Sequence, residues 1–331
     1  MAVVEAWMYT GGYPHSLYKA SITIEDNLAP TEVQLRVCAA SLNPVDVQLM
    51  DWGIWSLPYL GYAKGIGFDF SGTILRAGSD SGYQEGDKVF GITTTLSQGV
   101  LAEVIKLDAK SLDVLLMKRP TTWTHEQAAA TPLVFLTART CIEYVDPYVG
   151  VSKVVAVLGG SSSTGMQVVR LAKQRGWTVI STCSKKNEDF VKGLGADQVI
   201  DYTTDNVPKQ LQNASPEVII DCVGGSDCVG IGRRYVTIVG DKTDRTTIAG
   251  TASYVTSPRM IMRWALGWLG FRQRYDCIVF DKKLEYMQEA ATMNTSNMLI
   301  DSVYAFDDVP AALERLVSGR VRGKIILKVS G

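Results

Sequence analysis

Residues 154–173, VVAVLGGSSSTGMQVVRLAK, decide how the rest of the chain is read. Residues 154–158 are a short β-branched apolar run, the pattern of a strand covered on both faces in a parallel sheet. The run ends at Gly159-Gly160, after which Ser161-Ser162-Ser163-Thr164 supply helix-capping side chains. Gly165 stands where a helix would lie close against its strand. Beyond it, Val168, Val169, Leu171 and Ala172 recur at helical spacing. A strand that feeds a helix through small residues aims backbone N–H groups and a partial positive charge at one spot, which favours a phosphate. The stretch therefore reads as a dinucleotide pyrophosphate loop, with Gly160, Ser161, Ser162, Ser163, Thr164 and Gly165 as cofactor-binding residues. The alternative is an ordinary tight turn, which is also rich in glycine and serine, and the GxGxxG form is not literally present.

Outward from this loop the texture is regular. A helix is expected over 126–145 before it. After it come strands at 177–183 (WTVISTC), 198–201, 218–222 (VIIDC), 235–240 (YVTIVG) and 276–280 (DCIVF), with a helix over 189–194. With 154–158 these make six strands, and their alternation with helices predicts a doubly wound parallel sheet of Rossmann type. Residues 1–125 read differently, as short alternating runs such as 33–37, 71–75 and 88–92 punctuated by turn sequences. From about 295 the chain returns to a strand (299–306), a helix (307–318) and a last strand (324–329). The expected division is 1–125 with 295–331 as one domain and 126–294 as the other.

The 331 residues suffice for two cores, and 46% hydrophobic with 20% charged is ordinary for a globular protein. A net charge of −1, with no basic run interleaved with aromatics, argues against nucleic acid as a partner. The start, MAVVEAWMY, reads as a first strand and not as a secretion signal, so the cytoplasm is the expected compartment. Six dispersed cysteines without a C-x-x-C pair, and two histidines, announce neither a zinc site nor a disulfide framework. No stretch is long and apolar enough to predict a membrane span.

Several short pieces, weak alone, match one family in order and spacing. They are Ser41-Leu42-Asn43-Pro44-Val45-Asp46, Gly67-Phe68-Asp69-Phe70-Ser71-Gly72, Gly86-Asp87-Lys88-Val89-Phe90-Gly91, Ala129-Ala130-Thr131-Pro132, Thr137-Ala138, the glycine loop, Gly193-Leu194-Gly195-Ala196-Asp197, Asp221-Cys222-Val223-Gly224-Gly225 and Gly319-Arg320-Val321-Arg322-Gly323-Lys324. Over nearly its whole length the chain resembles the zinc-free branch of the medium-chain dehydrogenase/reductases, in its quinone-oxidoreductase-like and enoyl-reductase-like part. The resemblance implies a GroES-like β-rich catalytic domain beside the Rossmann domain. Zinc-dependent members carry a Cys near the position of Asn43 and a His where Phe68 stands, and neither residue here replaces such a ligand. The four-cysteine lobe of those members is missing too. Without a metal to polarise an alcohol or carbonyl oxygen, hydride delivery to an activated C=C bond or a quinone is the expected chemistry.

Cofactor choice is read at the end of the second strand. An NAD site places an acidic residue there, whereas Thr182-Cys183-Ser184-Lys185-Lys186 has none before Glu188. NADPH is the expected cofactor. Similar enzymes use a Ser and a Lys in this loop and a Tyr after the third strand, which correspond to Ser184, Lys185 or Lys186, and Tyr202. The alternative places both lysines on a solvated helix start. The resemblance also assigns Asn43, Thr137, Cys222, Val223, Gly224 and Lys324 to the cofactor, with Asn43, a catalytic candidate as well, pointing into the cleft near the nicotinamide ribose. A turn-forming Asn before Pro is the other reading of Asn43.

Family members that reduce enoyl thioesters place a proton-donating tyrosine soon after the Asn-Pro segment. Here the corresponding residue is Trp55, whose indole N–H donates a hydrogen bond but does not yield its proton. Tyr59, Tyr62 or water would then protonate; aromatic packing of Trp52, Trp55, Tyr59 and Tyr62 under a loop is the competing account. Residues 259–271, RMIMRWALGWLGF, are apolar with arginines. They admit burial between domains or subunits, a lid over a greasy substrate, a dimer contact or an interfacial membrane helix. The expectation is a zinc-independent NADPH-dependent reductase of a bulky apolar enone, enoyl compound or quinone, a homodimer by resemblance. The alternatives are a metal-free carbonyl or alcohol oxidoreductase and a non-catalytic NADPH-binding regulator.

Overall fold

The structure is a computed structural model that describes residues 2–52, 63–95, 99–241, 253–254, 257–294 and 298–330. The chain divides into two compact units, 1–133 with 282–331, and 134–281.

Among the described residues, the second unit holds a six-stranded parallel sheet. Its strands are β9 (Val154–Leu158), β10 (Thr178–Cys183), β11 (Gln198–Asp201), β12 (Val218–Asp221), β13 (Arg234–Thr237) and β14 (Arg274–Cys277). Their spatial order is β11-β10-β9-β12-β13-β14, so the order reverses between β9 and β12. In a doubly wound sheet that reversal opens a crevice at the carboxyl ends of the strands. β9, β10 and β12 are almost entirely buried, as their apolar runs dictate for a sheet covered on both faces. The covering helices include α4 (Ser163–Gln174), α5 (Glu188–Gly193), α6 (Val207–Ala214) and α7 (Pro258–Trp268).

The last two strands begin and end earlier than 235–240 and 276–280. β13 stops at Thr237 because its Oγ1 accepts from the Val239 and Gly240 N–H groups, turning the chain out of the ladder. β14 starts at Arg274, opposite Arg234.

The first unit is β-rich. A three-stranded antiparallel sheet joins β2 (Leu17–Ile24), β1 (Ala2–Tyr9) and β4 (Lys64–Gly65). A larger sheet is built on β3 (Glu32–Leu42), β5 (Asp69–Ala77), β6 (Lys88–Thr93), β7 (Val104–Asp108), β8 (Val114–Lys118), β15 (Ile300–Ala305) and β16 (Lys324–Lys328). β3 is long enough to pair twice beyond β5: its first half takes β7 and its second half β16. The register sets Ser41 opposite Asp69 and Leu42 opposite Ile325. Residues nearly 300 apart in sequence thereby meet at one corner. The unit's remaining helices include α1 (Pro44–Met50), α8 (Leu284–Ala291) and α9 (Val309–Val317).

The single helix expected over 126–145 is two, α2 (His125–Ala129) and α3 (Pro132–Val145). Pro132 lacks an N–H and pushes the residue before it out of the helical region, so the chain breaks at Thr131 and restarts with Pro132 at the first helical position.

Candidate functional site

The glycine loop is shaped by its neighbours in the second unit. Gly159 has φ +82, a region that favours glycine, and its N–H donates to Thr182 Oγ1 at 2.9 Å. The Gly160 N–H donates to the Thr182 carbonyl at 2.9 Å, so the loop is fastened to the end of β10. A Cβ on Gly160 would overlap Ser181 Oγ, and one on Gly165 would overlap the Gly159 carbonyl. These two glycines therefore serve close packing of loop on strand and of helix on loop. Ser162 caps α4, its Oγ accepting from the Gly165 N–H at 3.0 Å. Small residues thus bring the positive end of a twelve-residue helix to the carboxyl end of β9, where a pyrophosphate fits.

The other cofactor candidates in this unit lie at the same ends of adjacent strands. Cys222, Val223 and Gly224 follow β12. Their turn is held by buried Asp221, whose Oδ1 accepts from the Val223 and Gly224 N–H groups at 3.0 and 2.9 Å while Oδ2 accepts from Thr237 Oγ1 at 2.8 Å. Burial pushes the Cys222 thiol well up, which favours its neutral form. Ser184, Lys185 and Lys186 follow β10, and Tyr202 follows β11 with 60% of its surface exposed. Lys185 is engaged by Glu188, which also holds Lys192 at 2.8 Å. Lys186 is exposed and makes no ion pair among the described residues. Thr137 is buried on α3.

In the first unit Asn43 and Lys324 are brought together around a residue the sequence reading passed over. Asp69 has no exposed surface, and its Oδ2 accepts from Ser41 Oγ at 3.1 Å, Asn43 Nδ2 at 2.9 Å and Lys324 Nζ at 3.1 Å. Its Oδ1 accepts from the Leu133 N–H at 2.8 Å, one of the amides the break at Thr131 leaves outside the helical ladder. Lys324 also donates to Asn43 Oδ1. Asp46 lies beside them, its Oδ2 accepting from the Asn43 N–H at 2.7 Å, with Oδ1 buried and unpartnered. Burial pushes the Asp46 carboxyl up to about 7; hydrogen bonds from the Asn43 and Gly67 amides and the Lys324 charge pull it down, and the Asp69 charge pushes it up.

Asn43 is thus more than a turn residue: both ends of its amide are committed to the buried pair. A strand position flanked by Phe68 and Phe70 was the sequence signal for a buried Asp69, but its partner lies 255 residues away. Asp221 carried the same signal at the end of VIID. Trp55, Tyr59 and Tyr62 lie outside the described residues. Among the described residues no group of three or more His, Cys, Asp or Glu side chains could hold a metal ion.

Comparison with known proteins places this geometry in a family. Residues 29–117 match the alcohol dehydrogenase GroES-like domain, and residues 194–327 match the family described as zinc-binding dehydrogenase. The NAD(P)H oxidoreductase RTN4IP1, mitochondrial, of Mus musculus is 31% identical over 91% of this chain and 82% of its own length. The chain belongs to the medium-chain dehydrogenase/reductases, in their quinone-oxidoreductase-like and enoyl-reductase-like branch. The trans-enoyl reductase pgmF of Aspergillus terreus is 28% identical over 99% of this chain and 97% of its own. The structure of the quinone oxidoreductase from Coxiella burnetii superposes with a TM-score of 0.82 at 26% identity, covering 99% of this chain and 100% of that one. This medium-chain reductase is accordingly an oxidoreductase that uses a nicotinamide cofactor.

Proposed function

We propose that this chain is a zinc-independent, NADPH-dependent reductase that delivers hydride to an activated C=C bond, an enone or enoyl group, or to a quinone, on a bulky apolar substrate. The observation that carries the cofactor choice is the end of β10. No carboxylate precedes Glu188 there, and Glu188 is itself neutralised by Lys185 and Lys192, leaving Ser184, Lys186 and Tyr202 for a 2′-phosphate. In this reading unit 134–281 is the cofactor domain. The first turn of α4, with Ser161, Ser162, Ser163 and Thr164, holds the pyrophosphate, and Thr137 and residues 222–224 flank it. When bound, the nicotinamide supplies the hydride.

The first unit supplies polar groups held in place. Lys324 spends two of its three N–H groups on Asn43 and Asp69, which fixes the direction of the third for a ligand hydroxyl or a developing oxyanion. Zinc independence is supported by the commitment of the Asn43 amide to Asp69 and Lys324 and by buried Phe68, at the two positions where zinc-dependent members carry ligands. The proton is assigned to Tyr59, Tyr62 or water. The cytosol is the proposed compartment.

The test is consumption of NADPH with conjugated enones and with ortho- and para-quinones as acceptors, and NADH as control. Turnover with these acceptors supports the reading; turnover confined to simple aldehydes or alcohols contradicts it.

A further inference from the structure

An amphipathic helix at a protein surface turns its apolar stripe inward. α7 does the opposite along most of its length. Its inner face is fixed by Met260 and Gly267, both buried, and Gly267 sits so close to the chain entering β14 that a Cβ there would meet the Gln273 carbonyl at 2.5 Å. With that face inward, Ile261, Met262, Trp268 and Leu269 point outward, Trp268 at 63% exposure. The helix then closes in a Schellman turn. The Phe271 N–H donates to the Leu266 carbonyl at 3.0 Å and the Gly270 N–H to the Gly267 carbonyl at 3.2 Å, with Gly270 at φ +79. This fixes Phe271 at the tip of the apolar face with 75% of its surface exposed.

Two exposed arginines flank this face. Arg259 stands near one end and Arg272 at the other, both exposed and neither ion-paired among the described residues. Arg263, by contrast, is turned to Asp241. The sequence has no Asp or Glu between Asp244 and Asp276.

We propose that this face docks on a lipid surface carrying anionic headgroups, with α7 lying in the interface and the Trp268 and Phe271 rings inserted below the headgroups. Tryptophan and phenylalanine on one side, with arginines beside them and no acid, is the composition of an interfacial helix. Eleven residues extend about 16 Å, too short to cross the hydrocarbon core. Charge decides against a second copy of this chain as the occupant. Antiparallel pairing of two such faces sets Arg259 against Arg272, and parallel pairing sets each arginine against itself. The stretch offers no carboxylate to offset either arrangement. The anionic headgroup is the counter-charge the face itself lacks.

The experiment is sedimentation of the full chain with vesicles of phosphatidylcholine alone and of phosphatidylcholine mixed with phosphatidylserine. Light scattering is run alongside, and circular dichroism confirms that each variant is folded. The expected result is binding to the mixed vesicles that weakens with added salt. Trp268→Ala/Phe271→Ala is expected to reduce it by about tenfold or more, since each ring withdraws its apolar area from water on docking. Arg259→Gln/Arg272→Gln is expected to remove the preference for the mixed vesicles. Absence of binding to either vesicle overturns the proposal, as does binding that the aromatic double variant retains in full. A dimer in solution that this variant converts to monomer also overturns it, because the face would then be a subunit contact.

Discussion

Replacing Lys324 by methionine removes the counter-charge from a carboxylate that has no exposed surface. Asp69 keeps the donors Ser41, Asn43 and Leu133, but hydrogen bonds alone do not replace a cation in a buried site. Breaking a buried pair from one side costs about 3–5 kcal/mol. The opposite truncation, Asp69→Asn, leaves the Lys324 ammonium without Asp69, yet Asp46 stands ready to answer it. The Asp69 charge is one of the influences that hold the proton on Asp46, and the Lys324 charge favours losing it. With Asp69 neutral, the Asp46 carboxyl is easier to ionise and offsets part of the missing charge, so this variant is expected to lose only about 1–3 kcal/mol. The double variant Asp69→Asn/Lys324→Met removes both members of the buried pair, so neither is left without its partner. It is expected to be at least about 2 kcal/mol more stable than the sum of the single losses. Urea unfolding at neutral pH, comparing midpoints at unchanged slope, reads all three. Additivity of the single losses within about 0.5 kcal/mol, or a larger loss for Asp69→Asn than for Lys324→Met, would refute this reading of the cluster.

Other consequences can be checked with simpler variants. Asp46 is ionised in the unfolded chain above its ordinary 3.8 and in the folded chain only above about 7. The folded state therefore binds the extra proton in that window, and stability falls as pH rises through it, by on the order of 4 kcal/mol in all. Asp46→Asn should gain on the parent between pH 5 and 8, as urea midpoints at the two pH values will show. Burial, with Arg119 and Lys88 nearby, pushes His125 down to about 4, and its Nδ1 lies 2.8 Å from Ser71 Oγ. The unfolded chain takes up that proton first, so this contribution to stability is lost as pH falls from the ordinary 6.5 toward 4, and the thermal midpoint of His125→Gln should rise relative to that of the parent as pH falls across that range. Gly160→Ala forces a methyl into Ser181 Oγ, which donates to the Val157 carbonyl at 3.0 Å, and should cost about 1–3 kcal/mol; Ser181→Ala in the same chain should recover part of the loss in a urea titration. Glu188→Gln releases Lys185 and should tighten NADPH binding without changing NADH binding, by calorimetric titration.

The sheet that carries the glycine loop was legible because its information is local. Residues 154–173 hold a strand, a turn and a capped helix in one run, and each later strand of that sheet announces itself within a few residues. The break at Thr131 was also written locally, in Pro132, but the helical apolar spacing on both sides of it masked the signal. The corner around Asp69 was not legible, because it depends on registers between β3, β5 and β16 that join residues far apart in sequence. Sequence order carried Asn43 and Lys324 only through the family resemblance, and it gave no sign that Asp69 binds them both. The ion pair of Lys185 with Glu188, three residues on, was equally unannounced. The outward apolar face of α7 was present in the sequence as composition. Only the close seating of Gly267 near β14 determines which side is left to solvent.

The central claim is that hydride from a nicotinamide reaches a conjugated carbon without the help of a metal. The most direct measurement supplies NADPH deuterated at C4 on the transferred face, a bulky conjugated enone and a strong chelator, and locates the label in the product. The account predicts unchanged turnover under chelation and deuterium on the β-carbon of a saturated ketone, with the α-proton drawn from solvent. Deuterium on the carbonyl carbon of an allylic alcohol, or turnover abolished by the chelator and restored by zinc, would contradict it.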